Sequence, residues 1–157
     1  MLTIIIPALN EENTIANVVR FCRLNKLVSE VIVIDDKSDD NTVELAETAG
    51  AKVIISAVRG KGISMKDGIN NATNEIVIFL DADIDPYPEE TISKLAQPLL
   101  LDEVDFVTPF WKFRDKAIRA FATLMDAEPG KIFRRLVEEA ARDGLAQIGR
   151  ASCRERV

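Results

Sequence analysis

The feature that most constrains the fold is a set of short apolar runs that do not alternate with polar residues. Four of them lie at residues 3–7, 30–36, 52–56 and 76–80, and a fifth lies at 105–108. Strands that are apolar on both faces are typical of a parallel sheet covered by helices on both sides. The proline at the end of the first run is expected to end the first strand.

Helix-like segments separate these runs. Residues 15–22 carry apolar side chains at helical spacing, and further helices are predicted over 43–49, 65–72 and 88–101, with Gly50 ending the second of them. Strands that alternate with helices in this way predict an α/β fold, a mostly parallel, doubly wound sheet flanked by helices. Ligands of such sheets bind outside the carboxyl ends of the strands.

The composition excludes several kinds of chemistry. The 157 residues include no histidine and two cysteines, which excludes histidine-based triads, a disulfide framework and a four-cysteine zinc site. A formal net charge of −6 argues against a nucleic-acid partner, which would favour a basic surface. Neither a run of 18 apolar residues nor a signal-peptide pattern occurs, and this predicts a cytoplasmic protein.

The last segment of the chain, residues 147–157, is expected to have a separate origin. Its sequence, QIGRASCRERV, matches the in-frame translation of a common sequencing adapter at every residue. We therefore interpret residues 147–157 as an adapter-derived artefact and expect the natural sequence to continue beyond Ala146. The chain is then an N-terminal fragment with a truncated fold.

Two aspartates directly follow the fourth apolar run, although like charges repel each other. Asp81 and Asp83 are two residues apart on a predicted turn, so both carboxylates can face one hard cation, Mg²⁺ or Mn²⁺, that removes this repulsion. The alternative is that they only solvate the loop. Asp85 is expected either to reach the cation through water or to cap the helix that begins at Pro88.

A cation bound there would most naturally bridge a diphosphate, and a nearby lysine would suit the same phosphates. Lys61 lies between Gly60 and Gly62 and is expected to be a flexible cation on a loop. The segment matches neither the dinucleotide fingerprint nor the P-loop, and a plain surface loop is the alternative. Asp35 or Asp36, after the second run, suits a nucleobase or ribose, unless it only adds negative charge to the start of the next helix.

Four segments, in this order, resemble the motifs of family 2 glycosyltransferases with the GT-A fold. They are TIIIPALNEENTIANVV, VIVIDDKSDDNT, RGKGISMKDGINNA and IVIFLDADIDPYP, within residues 3–108. They most resemble the glucosyl-3-phosphoglycerate synthases, with polyprenyl-phosphate glycosyltransferases as the alternative. The resemblance implies a metal-dependent transfer of a sugar from a nucleotide donor, UDP-glucose, to a small phosphorylated acceptor such as 3-phosphoglycerate.

The resemblance also implies roles for particular residues. Those expected to bind the donor are Pro7, Ala8, Leu9, Glu11, Asp36, Ser38, Lys61, Asp81 and Ala82. The first four would hold the uridine, assisted by Asp36 or Ser38. Lys61 would contact the diphosphate, and Asp81 and Asp83 would bind Mg²⁺ or Mn²⁺. No catalytic residue is assigned.

The chain departs from the synthase pattern in its last third, which lacks a Gly-Arg-x-Thr segment for the acceptor and a metal-binding histidine. Residues 109–146 are interpreted as the helical start of an acceptor half, after a nucleotide-sugar-binding half at 1–108. One helix is expected where apolar side chains recur at helical spacing, at Ile118, Phe121, Ala122 and Met125. It would pack on the sheet or, with the basic residues nearby, meet an anionic or membrane-lipid acceptor. The fragment is expected to bind donor without transferring sugar, and a homodimer is left open.

A phosphorelay receiver domain is the alternative from another class. In such a domain Asp35 and Asp36 would be the acidic pair, and Asp81 would be the aspartate that becomes phosphorylated. Against it, the acidic pair follows the second predicted strand, and no Lys-Pro follows the fifth. A nucleotide-binding module without metal or catalysis is a third interpretation.

Overall fold

The computed structural model describes residues 1–101 together with the backbone of five short strands further along the chain. The first four strands are β1 Leu2–Ala8, β2 Val28–Asp35, β3 Lys52–Ile55 and β4 Ile76–Phe79. The helices are α1 Ile15–Leu24, α2 Thr42–Thr48, α3 Lys61–Asn71 and α4 Thr91–Leu100. The later strands are β5 Phe106–Val107, β6 Lys112–Phe113, β7 Lys116–Ala117, β8 Phe121–Leu124 and β9 Ile148–Gly149.

The main sheet has the strand order β3-β2-β1-β4-β8-β5-β9. β1 to β4 are parallel to one another, while β8 runs antiparallel to β4 and to β5. β6 and β7 form a separate antiparallel pair. The predicted α/β fold with a mostly parallel sheet and flanking helices is confirmed, and the antiparallel strands are added at one side. No helix in the described part of the chain is long and apolar enough to cross a membrane.

Helices cover both faces of the central strands β1 and β4 and of the second half of β2, which explains why these stretches are apolar on both sides, whereas the edge strand β3 is only partly covered. On one face, Ile4 and Ile6 of β1 pack with the apolar sides of α1, α2 and α4. On the other face, Ile5 of β1 packs with Met65 and Ile69 of α3. Because successive side chains of a strand point to opposite faces, a strand buried on both sides cannot alternate in polarity.

The predicted end of the first strand is wrong, because β1 continues through Pro7 to Ala8. Pro7 pairs in register with Ile34 of β2. The carbonyl of Ile5, two residues earlier, accepts a hydrogen bond of 3.0 Å from the Leu80 N–H, so backbone groups of this parity face β4. β4 ends at Phe79. Pro7 therefore lacks its N–H at a point where that side of β1 no longer has a neighbouring strand.

The helix expected around residue 121 is also wrong, because Phe121–Leu124 is strand β8. β8 pairs antiparallel with the whole of β4, from Ile76↔Leu124 to Phe79↔Phe121. A strand edge presents unpaired backbone donors and acceptors, and pairing with β8 satisfies those of β4. This demand for partners outweighs a weak helical periodicity. Ile118 and Met125 lie outside the described residues.

The division of the chain into two halves and an adapter-derived tail stays a prediction. The fifth strand was expected at 105–108, and β5 is found at Phe106–Val107. β5 pairs with β9, Ile148–Gly149, so two residues of the expected tail join the sheet.

Glu30 lies near the amino ends of the parallel strands, and the charge of its carboxylate stabilises the fold. Burial opposes ionisation of Glu30, but hydrogen bonds from the Thr73 N–H and hydroxyl and from the Thr3 hydroxyl, at 2.8–3.0 Å, outweigh it and lower its pKa below the usual 4.5. A lowered pKa contributes stability that is present above the unfolded value and is lost as the pH falls through the folded value.

We expect Glu30→Gln to lower the unfolding free energy at neutral pH by about 1 kcal/mol. Its stability should also fall less steeply than that of the wild type as the pH drops below about 4.5. Urea unfolding curves, recorded at about every pH unit between pH 3 and 7, measure both the loss of unfolding free energy and its pH dependence. Glu75→Gln removes an exposed charge nearby and serves as the control. Parallel pH curves for the wild type and Glu30→Gln would contradict the assignment.

Candidate functional site

Three of the predicted site segments lie together at the carboxyl edge of the parallel sheet. They follow β1, β2 and β4, which are adjacent strands in the order β2-β1-β4. Ala8, at the end of β1, pairs with Asp35 of β2, and its carbonyl accepts a 2.8 Å hydrogen bond from the Asp36 N–H. The strand order thus brings residues far apart in sequence to one edge, as expected for this class of sheet.

The loops after β1 and β2 are tied to each other by hydrogen bonds. The Asn10 N–H donates to Ser38 Oγ at 2.9 Å, and the Asp39 N–H donates to Asn10 Oδ1 at 2.8 Å. The Glu11 N–H donates to Thr42 Oγ1, at the start of α2, at 2.8 Å. Asn10 has a φ of +56°, a conformation that asparagine tolerates better than most residues. Glu11 and Ser38, both predicted donor-binding residues, therefore lie in two loops joined by hydrogen bonds, which we call the double loop.

The two aspartates at the end of β2 have different structural roles. Asp35 is 2% exposed, and its carboxylate accepts the N–H groups of Lys37 and Ser38 at 3.1–3.3 Å, which shapes the turn after the strand. Asp36 is 9% exposed, and its carboxylate accepts the Gly60 N–H at 2.9 and 3.0 Å. In this structure Asp36 thus anchors the segment that leads into α3, and a direct role in nucleotide binding stays a prediction.

Lys61 is not on a loop as expected, because it is the first residue of α3. The helix starts four residues before the predicted position. Gly60 has a φ of +144°, which glycine adopts without steric cost, and Asp36 holds its N–H across the site. A lysine at a helix N-terminus meets an unfavourable helix dipole. Here the ammonium is compensated by an ion pair with Asp81.

This ion pair between Lys61 Nζ and Asp81 Oδ1 links α3 to the end of β4. The Asp81 side chain is 13% exposed, whereas that of Lys61 is 53% exposed. Asp81 is therefore a largely enclosed carboxylate that already faces a cation. Asp83 is exposed, two residues further along the same turn.

Glu11 adds a third carboxylate to this region. Its pKa is raised by partial burial and then by the negative charges of Asp83, Asp40 and Asp81, against a weak hydrogen bond from Thr14. The charges of both members of the acidic motif thus act on Glu11. The edge is therefore strongly negative, with Lys61 as the cation paired to it.

The described residues hold no group of three or more metal-ligating side chains arranged around one point. Two carboxylates are an open donor set, which is the kind that Mg²⁺ completes with water and substrate phosphate oxygens. Asp85 does not cap the next helix, because residues Thr91–Leu100 form α4 and Glu90 occupies the N-cap position. Its carboxylate instead accepts a 2.7 Å hydrogen bond from Asn17 Nδ2.

Two features of the site were not predicted from the sequence. Tyr87 is buried at 7% exposure, and its hydroxyl donates to the Asp81 carbonyl at 2.9 Å. Asp67 lies 2.8 Å from the buried Ser56 hydroxyl and ties α3 to the end of β3. Both residues stand within the quoted motifs, but their partners lie in other elements or on the far side of a turn, so spacing alone could not reveal the contacts.

The fold and this charged edge define an α/β protein of the GT-A type, in which an acidic turn after a central strand faces a lysine. The chain belongs to glycosyl transferase family 2, whose family model matches residues 3–148. The match extends well beyond the motifs, which end before residue 108. Family membership argues against the receiver-domain interpretation.

Two curated proteins are similar to this chain in sequence. Glucosyl-3-phosphoglycerate synthase of Mycolicibacterium smegmatis is 38% identical over 122 residues, which are 70% of this chain and 40% of that protein. The 4,4'-diaponeurosporenoate glycosyltransferase of Staphylococcus haemolyticus is 31% identical over 103 residues, 61% of this chain and 28% of that protein. The chain thus spans less than half of either relative.

A solved structure agrees with these matches. It is glucosyl-3-phosphoglycerate synthase from Mycobacterium tuberculosis in complex with Mn²⁺, UDP-glucose and phosphoglyceric acid. The superposition has a TM-score of 0.72 at 25% sequence identity and covers 79% of this chain and 56% of that chain. The similarity therefore extends to the arrangement of the elements.

Proposed function

We propose that this chain binds a nucleoside-diphosphate sugar, UDP-glucose, at the carboxyl edge of β1, β2 and β4, as the donor half of a metal-dependent glycosyltransferase. The observation that carries the proposal is the Lys61–Asp81 ion pair beside Asp83. It puts a cationic side chain and two carboxylates where a diphosphate and its cation would be bound together. The solved synthase with Mn²⁺ and UDP-glucose supports the same pairing of cation and donor.

Asp81 and Asp83 would hold the cation, Mg²⁺ or Mn²⁺. Their donor set fits, because two carboxylate oxygens on one turn leave coordination positions for phosphate oxygens. A bound divalent cation would neutralise the charge that grows on the diphosphate as the glycosidic bond breaks. Glu11 makes the edge still more negative, so an anionic diphosphate should enter only together with cations.

Lys61 would contact the diphosphate from the start of α3. The first turn of this helix carries backbone N–H groups and a positive dipole end, which favour anions. Gly60 and Gly62 keep the approach free of side chains, and a Cβ at Gly62 would meet no heavy atom within 4 Å apart from its chain neighbours and the backbone of its own helix. Lys61 would exchange its Asp81 partner, in part, for phosphate oxygens.

The uridine would lie against the double loop formed after β1 and β2. Leu9 is 41% exposed there, beside the buried Ala8. The Ser38 hydroxyl accepts from Asn10 and keeps its own proton to donate. Pro7, Ala8, Leu9 and Glu11 are proposed to hold the base and ribose, and Ala82, 3% exposed, packs below the acidic turn.

The acceptor is proposed to be a small phosphorylated molecule such as 3-phosphoglycerate, because the similar protein of Mycolicibacterium smegmatis is named glucosyl-3-phosphoglycerate synthase. A membrane-lipid acceptor, a homodimer and a cytoplasmic location stay predictions of the sequence.

Calorimetric titration with UDP, ADP and GDP tests the donor assignment. We expect UDP to bind at least about tenfold more tightly than either purine nucleotide, since a site built for specific hydrogen bonds rejects ligands that leave them unmade. The UDP affinity should rise with Mn²⁺ or Mg²⁺ and fall when a chelator is present. Equal affinity for the three nucleotides would overturn the uridine assignment, and equal affinity with metal and with chelator would overturn the metal site.

A further inference from the structure

One face of α1 touches the loop that carries the acidic motif at two points. Asn17 and Phe21 are four residues apart in the helix and therefore lie on the same face, one turn from each other. They contact Asp85 and Tyr87, which are two residues apart in the loop after β4. We call these four residues the clamp.

Tyr87 forms the buried half of the clamp. Its ring stacks on Phe21 with 5.5 Å between the ring centroids and an angle of 16° between the planes. Its hydroxyl donates to the backbone carbonyl of Asp81 at 2.9 Å. The side chain therefore connects α1 to the backbone of the first acidic residue.

Asn17 forms the exposed half of the clamp. Its Nδ2 donates to Asp85 Oδ2 at 2.7 Å, and its Oδ1 accepts from Arg20 at 3.2 Å, which orients the amide. The two contacts thus flank the motif, one at the Asp81 carbonyl and the other at the Asp85 carboxylate. In the sequence, Asp83 lies midway between these two anchored residues, Asp81 and Asp85.

The clamp opposes the repulsion between the carboxylates of the site. The charges of Asp83 and Asp81 act on Glu11. Although Lys61 pairs with Asp81, like charges close together would drive an unanchored turn to spread. Contacts to α1 act on backbone and on residues outside the cation's proposed ligands, so they do not compete with the cation. A turn held in place loses less conformational freedom on binding, which strengthens binding.

We propose that Phe21 and Tyr87, with Asn17 and Asp85, are positioning residues that hold the Asp81–Asp83 turn in the geometry that binds the divalent cation of a nucleotide-sugar complex. The inference rests on the proposed function for its cation and donor. The clamp itself is a property of the free protein and can be measured without either.

The test compares Tyr87→Phe with Thr3→Val. Tyr87→Phe removes the hydroxyl that holds the Asp81 carbonyl and leaves the stacked ring. Thr3→Val is the matched control, because it also removes one buried hydroxyl, hydrogen-bonded to Glu30 at 2.8 Å, but at the opposite edge of the sheet. Asn17→Ala, which removes the exposed contact, provides a second variant that leaves the buried ring pair intact.

Amide hydrogen exchange is first measured on the ligand-free proteins, in the segment 80–87. We expect exchange there to be about fivefold faster in Tyr87→Phe and unchanged in Thr3→Val, as loss of one hydrogen bond would give. Calorimetry with UDP and Mn²⁺ should then show about fivefold weaker metal-dependent binding in Tyr87→Phe only. UDP affinity in chelator should be the same in all the proteins.

The outcomes separate the clamp from the proposed function. Unchanged exchange in both Tyr87→Phe and Asn17→Ala would overturn the clamp, whatever the nucleotide results are. Faster exchange with undiminished metal-dependent binding would overturn its positioning role. A wild-type protein without metal-dependent UDP binding would refute the proposed function, and with it the positioning role, while the exchange data would still decide whether the clamp holds the turn.

Discussion

Asp83→Asn is expected to remove the metal-dependent part of UDP affinity. Asparagine keeps the size of the side chain but lacks the charge that attracts a hard divalent cation. Removal of an outer partner of a metal site typically costs 10- to 100-fold in metal affinity, so loss of one of two proposed ligands should cost at least about tenfold. Asp83 is exposed, and its replacement should leave the thermal midpoint near that of the wild type.

Calorimetry with Mn²⁺ and with chelator separates this effect from a general loss of binding. In chelator, Asp83→Asn should bind UDP at least as well as the wild type, because one charge that repels the diphosphate is gone. Glu44→Gln, which removes an exposed carboxylate on α2, serves as the charge control and should behave like the wild type. If Asp83→Asn retained the full effect of Mn²⁺, Asp83 would not be a ligand.

The sequence predicted the parallel core because each strand there is determined by its own residues. Runs such as 30–36 and 76–80 are apolar on both faces, and only a strand covered on both sides can bury them. The helix α1 was predicted for the same reason, from one apolar stripe. Gly50 at the end of α2 has a φ of +99°, as its predicted role as a helix stop requires.

The errors occurred where the outcome depends on a distant partner. Pro7 stays within β1 because β4 ends before reaching it, and β8 forms because β4 needs a second neighbour. Lys61 is helical because Asp36 holds the N–H of Gly60, which is 24 residues further along the chain, at the start of α3. None of these contacts can be predicted from the spacing of residues that are close in sequence.

The candidate site divides in the same way. Its location and its charged residues follow from the rule that ligands bind at the carboxyl ends of parallel strands. The ion pair of Lys61 with Asp81 and the contact of Tyr87 with the Asp81 carbonyl depend on the packing of α3 and α1 against the sheet. The sequence could therefore name the acidic motif, but the elements that hold it became visible only in the folded chain.

The packing of α3 on the sheet depends on the absence of a side chain at Gly68. A Cβ at position 68 would lie 2.4 Å from Ile5 Cγ2, closer than real contacts allow, and 3.1 Å from Ile5 Cδ1, which is a tight contact. Ile5 is fully buried in the central strand and is β-branched, so its side chain has little freedom to move. Any residue larger than glycine must therefore push α3 away from β1.

Gly68→Ala is thus expected to destabilise the fold by about 1–3 kcal/mol, the usual cost of overpacking a core. The displaced helix also carries Lys61 away from Asp81, so UDP affinity should fall together with stability. Urea unfolding measures the first effect and calorimetry the second. The control for the stability effect is Gly62→Ala in the same helix, where the added Cβ meets no heavy atom within 4 Å apart from its chain neighbours and the backbone of its own helix. It should stabilise by about 0.5–1 kcal/mol, because alanine favours helix more than glycine does.

A double variant identifies the clash as the cause. Ile5→Ala removes the atoms that the new methyl group would strike, at the cost of a cavity of its own. If the clash with Ile5 is responsible, Gly68→Ala should destabilise the Ile5→Ala protein much less than the wild type, and the two effects should fail to add by more than about 0.5 kcal/mol. Strictly additive effects would show that α3 tolerates a side chain at position 68 without meeting Ile5. The close approach of the helix to the central strand would then not be what positions Lys61.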